Sequence, residues 1–261
     1  MKIALIITTY NRPDALELVI KSALSQTFLP DEIIIADDGS RSETKTLISK
    51  YQKKSSTKII HSWQRDLGFR AARSRNKAIA KSSSDYLILV DGDMILNKYF
   101  IYDHVSSSKE GFFIQGTRVL LSKEISRKVL QSQDLAVNFY QSGISNRKNA
   151  LRSKLLSNIF SSKSKKLDGI KTCNMSFFKE DFLRINGFNN DFEGWGREDS
   201  EFALRMINYG LIRNNIKHLA IQYHLWHHEE SRESLIQNDL ILEVAAKNKI
   251  IRCKNGISEF I

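Results

Sequence analysis

The run Ile3-Ala4-Leu5-Ile6-Ile7-Thr8 is short and almost continuously apolar. A strand without a polar face must be covered on both sides, the condition of a central strand in a parallel sheet with helices above and below. The residues that follow agree with this. Asn11-Arg12-Pro13-Asp14 brings a proline and an acid suited to a first helical turn, and Leu16, Val19, Ile20, Ala23 and Leu24 recur at helical spacing. The unit repeats with Glu32-Ile33-Ile34-Ile35-Ala36, a polar helix to about residue 51, a run Lys58-Ile59-Ile60-His61, a helix over about 69–81, and a fourth strand Tyr86-Leu87-Ile88-Leu89-Val90. This alternation predicts an open α/β sheet, wound right-handedly, with ligands at the carboxyl ends of its strands.

Beyond about residue 100 the alternation weakens. Phe112-Phe113-Ile114-Gln115-Gly116 and Arg118-Val119-Leu120-Leu121 predict two strands, and a Ser/Lys-rich stretch follows, so the second half reads as α+β. Residues 147–171 hold eight basic side chains and one acid, Asp168, with Leu151, Leu155, Leu156, Ile159 and Phe160 on what would be one helical face. We favour a surface helix whose apolar stripe packs on the domain; the other reading is a basic amphipathic helix lying on an anionic membrane. A C-terminal helical extension is expected at about 231–250. With two prolines and no internal repeat in 261 residues, nothing divides the chain into separate domains.

Charge narrows the partners. Forty Lys and Arg against 29 Asp and Glu give a net charge of +11, which favours nucleic acid, an anionic membrane surface or a phosphate-bearing substrate. No apolar run approaches the about 18 residues of a membrane-spanning helix, and the first strand runs into Thr8-Thr9 without a cleavage site. The expectation is a cytoplasmic protein in which Cys173 and Cys253 are reduced thiols. The absence of Gly-x-Gly-x-x-Gly after a strand argues against a dinucleotide oxidoreductase. That of Gly-x-x-x-x-Gly-Lys-Ser/Thr argues against a P-loop phosphotransferase.

Four polar clusters remain. Asp91-Gly92-Asp93 follows a buried strand, and carboxylates at i and i+2 can serve a divalent cation and a sugar hydroxyl together; an ordinary turn after the strand explains them equally well. Asp37-Asp38-Gly39-Ser40 also ends a strand, so that it, Thr8 to Arg12 and the first cluster converge on one sheet edge. Between them, Gly68-Phe69-Arg70-Ala71-Ala72-Arg73-Ser74-Arg75-Asn76 sets three arginines at a helix start, suited to a diphosphate. The third cluster, Gly194-Trp195-Gly196-Arg197-Glu198-Asp199, places two carboxylates at a helix N-terminus and a tryptophan between glycines, as for a sugar-stacking platform or a mobile lid. The fourth, Tyr223-His224-Leu225-Trp226-His227-His228, concentrates three of six histidines in five residues, and one of them completing the Asp93 site is the economical reading.

Taken in order, Thr8-Thr9-Tyr10-Asn11-Arg12-Pro13, Asp37-Asp38-Gly39-Ser40, Arg75-Asn76, Asp91-Gly92-Asp93 and Gly194-Trp195-Gly196-Arg197-Glu198-Asp199 resemble a family-2 glycosyltransferase of the GT-A fold, over nearly the whole chain. The C-terminal part is similar to the β-1,4-galactosyltransferases and bacterial chondroitin polymerase. The resemblance implies an inverting transfer of a hexose or N-acetylhexosamine from a UDP-sugar to an oligosaccharide or lipid-linked glycan, as in bacterial surface polysaccharide synthesis. Thr8, Tyr10 and Arg12 would line the nucleotide pocket, Asp38 or Asp37 contact uracil, and Arg75 steady the diphosphate. Asp93 would hold Mn²⁺ (or Mg²⁺) with His227 or His224, and Asp91 would touch the ribose or donor sugar. Asp199 would be the general base, Glu198 would orient the acceptor, and Trp195 would cover the sugar. On this reading 1–100 is the nucleotide-sugar-binding half, 101–230 the acceptor-binding and metal-completing half, and 231–261 an extension. The chain lacks the Gln-x-x-Arg-Trp signature of processive synthases, which suggests single-residue transfer. The segment 147–171 has no counterpart in these motifs and offers a peripheral contact with the inner face of the cell membrane.

Two alternatives stand beside this. A sugar nucleotidyltransferase would use the same carboxylates but has no need of the segment from Trp195 to Asp199. A nucleic-acid-binding protein would explain the charge, but its arginines should then form a stripe interleaved with aromatics, which the sequence lacks.

Overall fold

The computed structural model describes residues 1–135, 142–228 and 231–261; the parts of the 101–230 half at 136–141 and 229–230 lie outside the described residues. The first half follows the periodicity: β1 (Ile3–Thr9), α1 (Pro13–Leu24), β2 (Glu32–Asp37), α2 (Ser42–Lys54), β3 (Lys58–Trp63), α3 (Ala71–Ile79) and β4 (Tyr86–Asp91). Next come β5 (Met94–Leu96), α4 (Phe100–Ser107), β6 (Phe112–Gln115), β7 (Val119–Leu121), α5 (Lys123–Ser132), β8 (Ile144–Ser145), α6 (Lys154–Phe160), β9 (Ser162–Ser164) and β10 (Asn174–Phe178). The chain continues through α7 (Lys179–Arg184), α8 (Glu198–Tyr209), β11 (Ile212–Asn215), β12 (Gln222–His224) and α9 (Leu235–Lys247).

Among the described residues an eight-stranded mixed sheet has the order β3-β2-β1-β4-β10-β6-β11-β9, and a smaller one the order β5-β12-β7-β8. Strands β3, β2, β1 and β4 are parallel. Alternation along β1 divides the core: Ile3, Leu5 and Ile7 pack with Leu16, Val19 and Ile20 of α1 on one face. Ala4 and Ile6 pack on the other with Ala72 and Ala78 of α3 and Phe202 and Met206 of α8. Each such Leu or Ile burial is worth about 1.5–3 kcal/mol, which makes β1 the strand that fixes both layers. Helix α8 is held by Phe202, stacked on Phe188 at 4.1 Å between ring centroids, and by the bidentate pair of Glu201 and the fully buried Arg205, at 2.7 and 2.8 Å.

The second half departs from expectation in two places, at 147–171 and at the C-terminus, and its sheets have an order the sequence does not declare. The strands read at 112–116 and 118–121 form, but in different sheets: β6 lies between β10 and β11 in the large sheet, while β7 pairs with β12 and β8 in the small one. Asn174 secures the crossing, its Nδ2 donating to the Thr117 carbonyl at 2.7 Å and to that of Ala220 at 2.9 Å, while its Oδ1 meets His104 at 2.9 Å. Residues 147–171 do not form one helix: they divide into a 3₁₀ turn, Arg147–Ala150, the seven-residue α6, the edge strand β9 and a loop. Nor does the apolar stripe pack on the domain, since Leu155, Ile159 and Phe160 are 71%, 63% and 57% exposed. The C-terminal helix is shorter than read, and residues 253–260 fold back over 186–190 and the start of α3. There Asn186 Nδ2 donates to the Cys253 carbonyl at 2.9 Å, Ile257 N to that of Asn186 at 2.9 Å, and Arg73 pairs with Glu259.

Candidate active site

Parallel register sets the site's first layer. Thr8 stands opposite Asp91 across β1 and β4, and Thr9 opposite Asp37 across β1 and β2, so three strand ends expose their polar termini at one edge. The turn after β2 is tight. Gly39 has φ +99°, and a Cβ there would meet Asp66 backbone at 2.5 Å, so only glycine lets the segment 64–68 close over the strand end.

The two aspartates of that turn have different surroundings. Asp37 is wholly buried, with Oδ2 bonded to His61 Nε2 at 2.7 Å and Oδ1 accepting from Ser40 N at 2.8 Å, which commits it to the turn. Asp38 accepts from Gln64 Nε2 at 2.5 Å and Arg70 N at 2.7 Å. Burial raises its pKa against those bonds. Tyr10 is 48% exposed on the rim and donates to Asp66 at 2.9 Å. Asn11, at φ 48°, ties the first loop to the second by accepting from Arg41 N at 2.9 Å.

Arg75 is the centre of the arrangement. Projecting from α3 and buried, it donates from Nε to Thr8 Oγ1 at 3.1 Å, from Nη2 to Asp91 at 3.3 Å and from Nη1 to Asp199 at 3.4 Å, with Glu198 at 3.6 Å. Its guanidinium lies 5.3 Å from the Phe188 ring centre. Burial alone would disfavour its charge, but Asp199, Asp91 and Glu198 together raise its pKa. Three carboxylates around one cation cannot all be satisfied. Burial, and then the Asp199 charge, push Glu198 up to about 7; burial, with Asp93 and Asp199 against Arg75, takes Asp91 to about 6. Asp199 is fixed by Thr172, whose Oγ1 donates at 2.6 Å and whose N donates at 2.9 Å.

Asp93 lies two residues past the end of β4. Its Oδ2 is 3.1 Å from Arg12 Nη1, 3.5 Å from His224 Nε2 and 3.4 Å from His227 Nε2. Both histidines therefore come to the same carboxylate. The three side chains offer ligand atoms within 4.8 Å of one another, and Asp93 Oδ1 is buried without a hydrogen-bond partner among the described residues. Burial works against the Asp93 charge, but His224, Arg12 and His227 outweigh it and lower the pKa. One carboxylate and two imidazoles with an open buried oxygen can hold a divalent first-row cation, the carboxylate oxygens being the ligands that suit Mn²⁺.

The loop before α8 is built for close packing. Gly194 has φ +71°, and a Cβ there would meet Ser234 Oγ at 2.1 Å; Trp195 follows at 39% exposure, with the Arg232 guanidinium 5.5 Å from its ring centre. Arg75, Asp91, Glu198 and Asp199 thus come together with Thr8, while Arg12, Asp93, His224 and His227 form an adjoining group; Trp195, Tyr10, Asp37 and Asp38 lie around them. Thr172, Gln64, Asp66 and His104 were not singled out from sequence. Each is a lone polar residue outside any motif, given its part by a partner distant in the chain.

Comparison with known proteins bears on the family and the fold. The glycosyl transferase family 2 model matches residues 4–178, and one described as the N-terminal domain of galactosyltransferase matches 156–229. Chondroitin synthase of Pasteurella multocida (strain Pm70) is 24% identical over 80% of this chain and 23% of its own length. Hyaluronan synthase of Pasteurella multocida is 27% identical over 80% of the chain and, again, 23% of its own length, so the chain spans about a quarter of these relatives. The crystal structure of S. aureus TarS 1-349 in complex with UDP covers 100% of the chain and 68% of its own, with a TM-score of 0.66 at 17% identity, which establishes the GT-A fold.

Proposed function

Because the chain belongs to glycosyl transferase family 2, and is therefore a glycosyltransferase, we propose that it moves a hexose or N-acetylhexosamine from a UDP-sugar to a glycan hydroxyl with inversion. The observation that carries the reading is the convergence of Thr8, Arg75, Asp91, Glu198 and Asp199 at one sheet edge, beside the group of Asp93, His224 and His227.

The residues divide the work. Asp38 and the loop from Thr8 to Arg12 border the nucleotide pocket, with Tyr10 at its rim. Asp91 holds a ribose or donor-sugar hydroxyl, and Trp195 covers the sugar. Asp199, aimed by Thr172, takes the proton of the attacking hydroxyl; the new O–C1 bond forms on the face opposite the departing diphosphate, and the C1–O bond to UDP breaks. Glu198, protonated near neutrality, donates a hydrogen bond to an acceptor oxygen. Arg75 fixes the three carboxylates in register with Thr8. Asp93, His224 and His227 would hold Mn²⁺ or Mg²⁺, which when bound supplies charge neutralisation for the leaving diphosphate.

Measured UDP release from a panel of UDP-sugars tests the proposal. Release from one donor should need Mn²⁺, stop with EDTA, fall at least 100-fold in Asp93→Ala and fall comparably in Asp199→Asn. No turnover of any donor, or release of pyrophosphate in place of UDP, would overturn it. We further propose that the exposed Leu155, Ile159 and Phe160, among the lysines of 147–171, dock the enzyme on an anionic membrane that presents its glycan acceptor.

A further inference from the structure

A cavity of about 570 Å³ lies beyond the carboxyl ends of β6 and β11, with Gly169, Lys171 and Cys173 in its wall. Its walls carry Arg118, Lys171, Arg213 and Lys217 against a single carboxylate, Asp168. Arg213 is 5% exposed; its Nη1 donates to the Asp168 carbonyl at 2.9 Å, but its Nε has no hydrogen-bond partner among the described residues, and neither has Thr117 Oγ1 on the same wall. A buried guanidinium with an unused donor leaves its positive charge incompletely compensated behind this wall. A wall with four cations and one carboxylate selects an oxyanion over a neutral sugar.

The cavity is joined to the reacting centre by one stretch of backbone. Lys171 and Cys173 line it, and Thr172 between them holds Asp199. Gln115 fixes the stretch, accepting from Lys171 N at 3.1 Å and donating to its carbonyl at 2.9 Å. A group seated here is thus placed beside a hydroxyl that Asp199 deprotonates. We propose that the acceptor glycan carries an anionic group, a carboxylate or a phosphate, that is bound by Arg213, Lys171, Arg118 and Lys217. The proposal rests on the transferase reading and adds to it the charge of the acceptor.

The test is calorimetric titration of the full chain, with UDP present to fill the donor pocket, at fixed ionic strength. The probes are a disaccharide ending in a β-glucuronate, its carboxyl-reduced counterpart, and a methyl glucoside bearing a 6-phosphate beside the unphosphorylated glucoside. One charged probe should bind at least tenfold more tightly than its neutral partner, and which pair shows the preference distinguishes carboxylate from phosphate. Lys171→Gln and Arg118→Gln, both on partly exposed side chains, should each reduce that preference several-fold, as should the buried Arg213→Gln; Lys53→Gln on α2 should leave it intact. Equal affinity for charged and neutral probes, or a preference untouched by all three cavity variants, would overturn the proposal. Titration of UDP alone examines the donor site separately: UDP binding without the charge preference removes this inference and leaves the transferase reading standing.

Discussion

Arg75 gathers more of the site's carboxylates than any other side chain, because among the described residues it is the one cation paired with Asp91, Glu198 and Asp199 together. The excess negative charge is met by proton retention on Glu198, at about 7. On the role proposed for it, Glu198 ionises above that pH and stops donating to the acceptor, so kcat/KM should have a falling alkaline limb near 7. Glu198→Gln, an amide donor at every pH, should lack that limb in a pH–rate profile while retaining a lower overall rate. His104 has the opposite logic. Burial lowers its pKa to about 4 from 6.5, so the native state stays neutral where the unfolded chain takes up a proton. Its contribution is present above pH 6.5 and is lost as pH falls from 6.5 toward 4, by roughly 2–3 kcal/mol at pH 4.5. Denaturant unfolding at pH 7 and pH 4.5 should show a smaller acid loss in His104→Gln than in the wild type. The paired acids at 91, 93, 198 and 199 were legible because short-range spacing brings each pair to one strand or helix end. Thr172 was not, since only the fold brings it 2.6 Å from Asp199.

Among the elements, β1, β2 and β4 were legible because strands covered on both faces are apolar nearly throughout, and α1 because its apolar residues recur at helical spacing. The segment 147–171 was misread for a physical reason. Its apolar side chains recur at helical intervals, but Ser153 caps α6 by accepting from Leu156 N at 3.2 Å and Ser161 starts an extended stretch, so only one short helix forms. What remains is an apolar face turned outward. Replacing Leu155, Ile159 and Phe160 by serine should abolish sedimentation with phosphatidylglycerol vesicles while shifting Tm little, because none of the three is buried. Undiminished vesicle binding in the triple variant would remove the membrane proposal.

Across the whole molecule, the last residues brace the reacting centre from behind. Residues 253–260 bond to Asn186 and Asn190, and Asn76, the neighbour of Arg75, bonds to the Phe188 carbonyl at 2.7 Å and to Asn190 at 2.7 Å. Removing 251–261 should therefore loosen the segment under Arg75. Its Tm should drop by several degrees, and the truncated chain should bind UDP-sugar more weakly by titration than the full chain does. The two-sheet arrangement could not be read from the sequence, because β6 and β7 are near neighbours in the chain and separate only where Asn174 spans Thr117 and Ala220.

That crossing has a consequence for how such a chain can change. The groups proposed to border the nucleotide and donor sugar, Thr8 to Arg12, Asp38 and Asp91, all belong to the first 91 residues, at the ends of the parallel strands and in the loops that follow them. The cationic cavity is assembled from residues 115–217, which enter the large sheet only through the antiparallel β10 and the strands beyond it. Of this set, the side chains of Arg118, Lys171, Arg213 and Lys217 make no hydrogen bond to the first 91 residues among the described residues, whereas Asn174 pairs with Val90 of β4. On the proposed assignment, changing those four cations would retarget what such a chain builds upon while leaving in place the part that handles what it builds with.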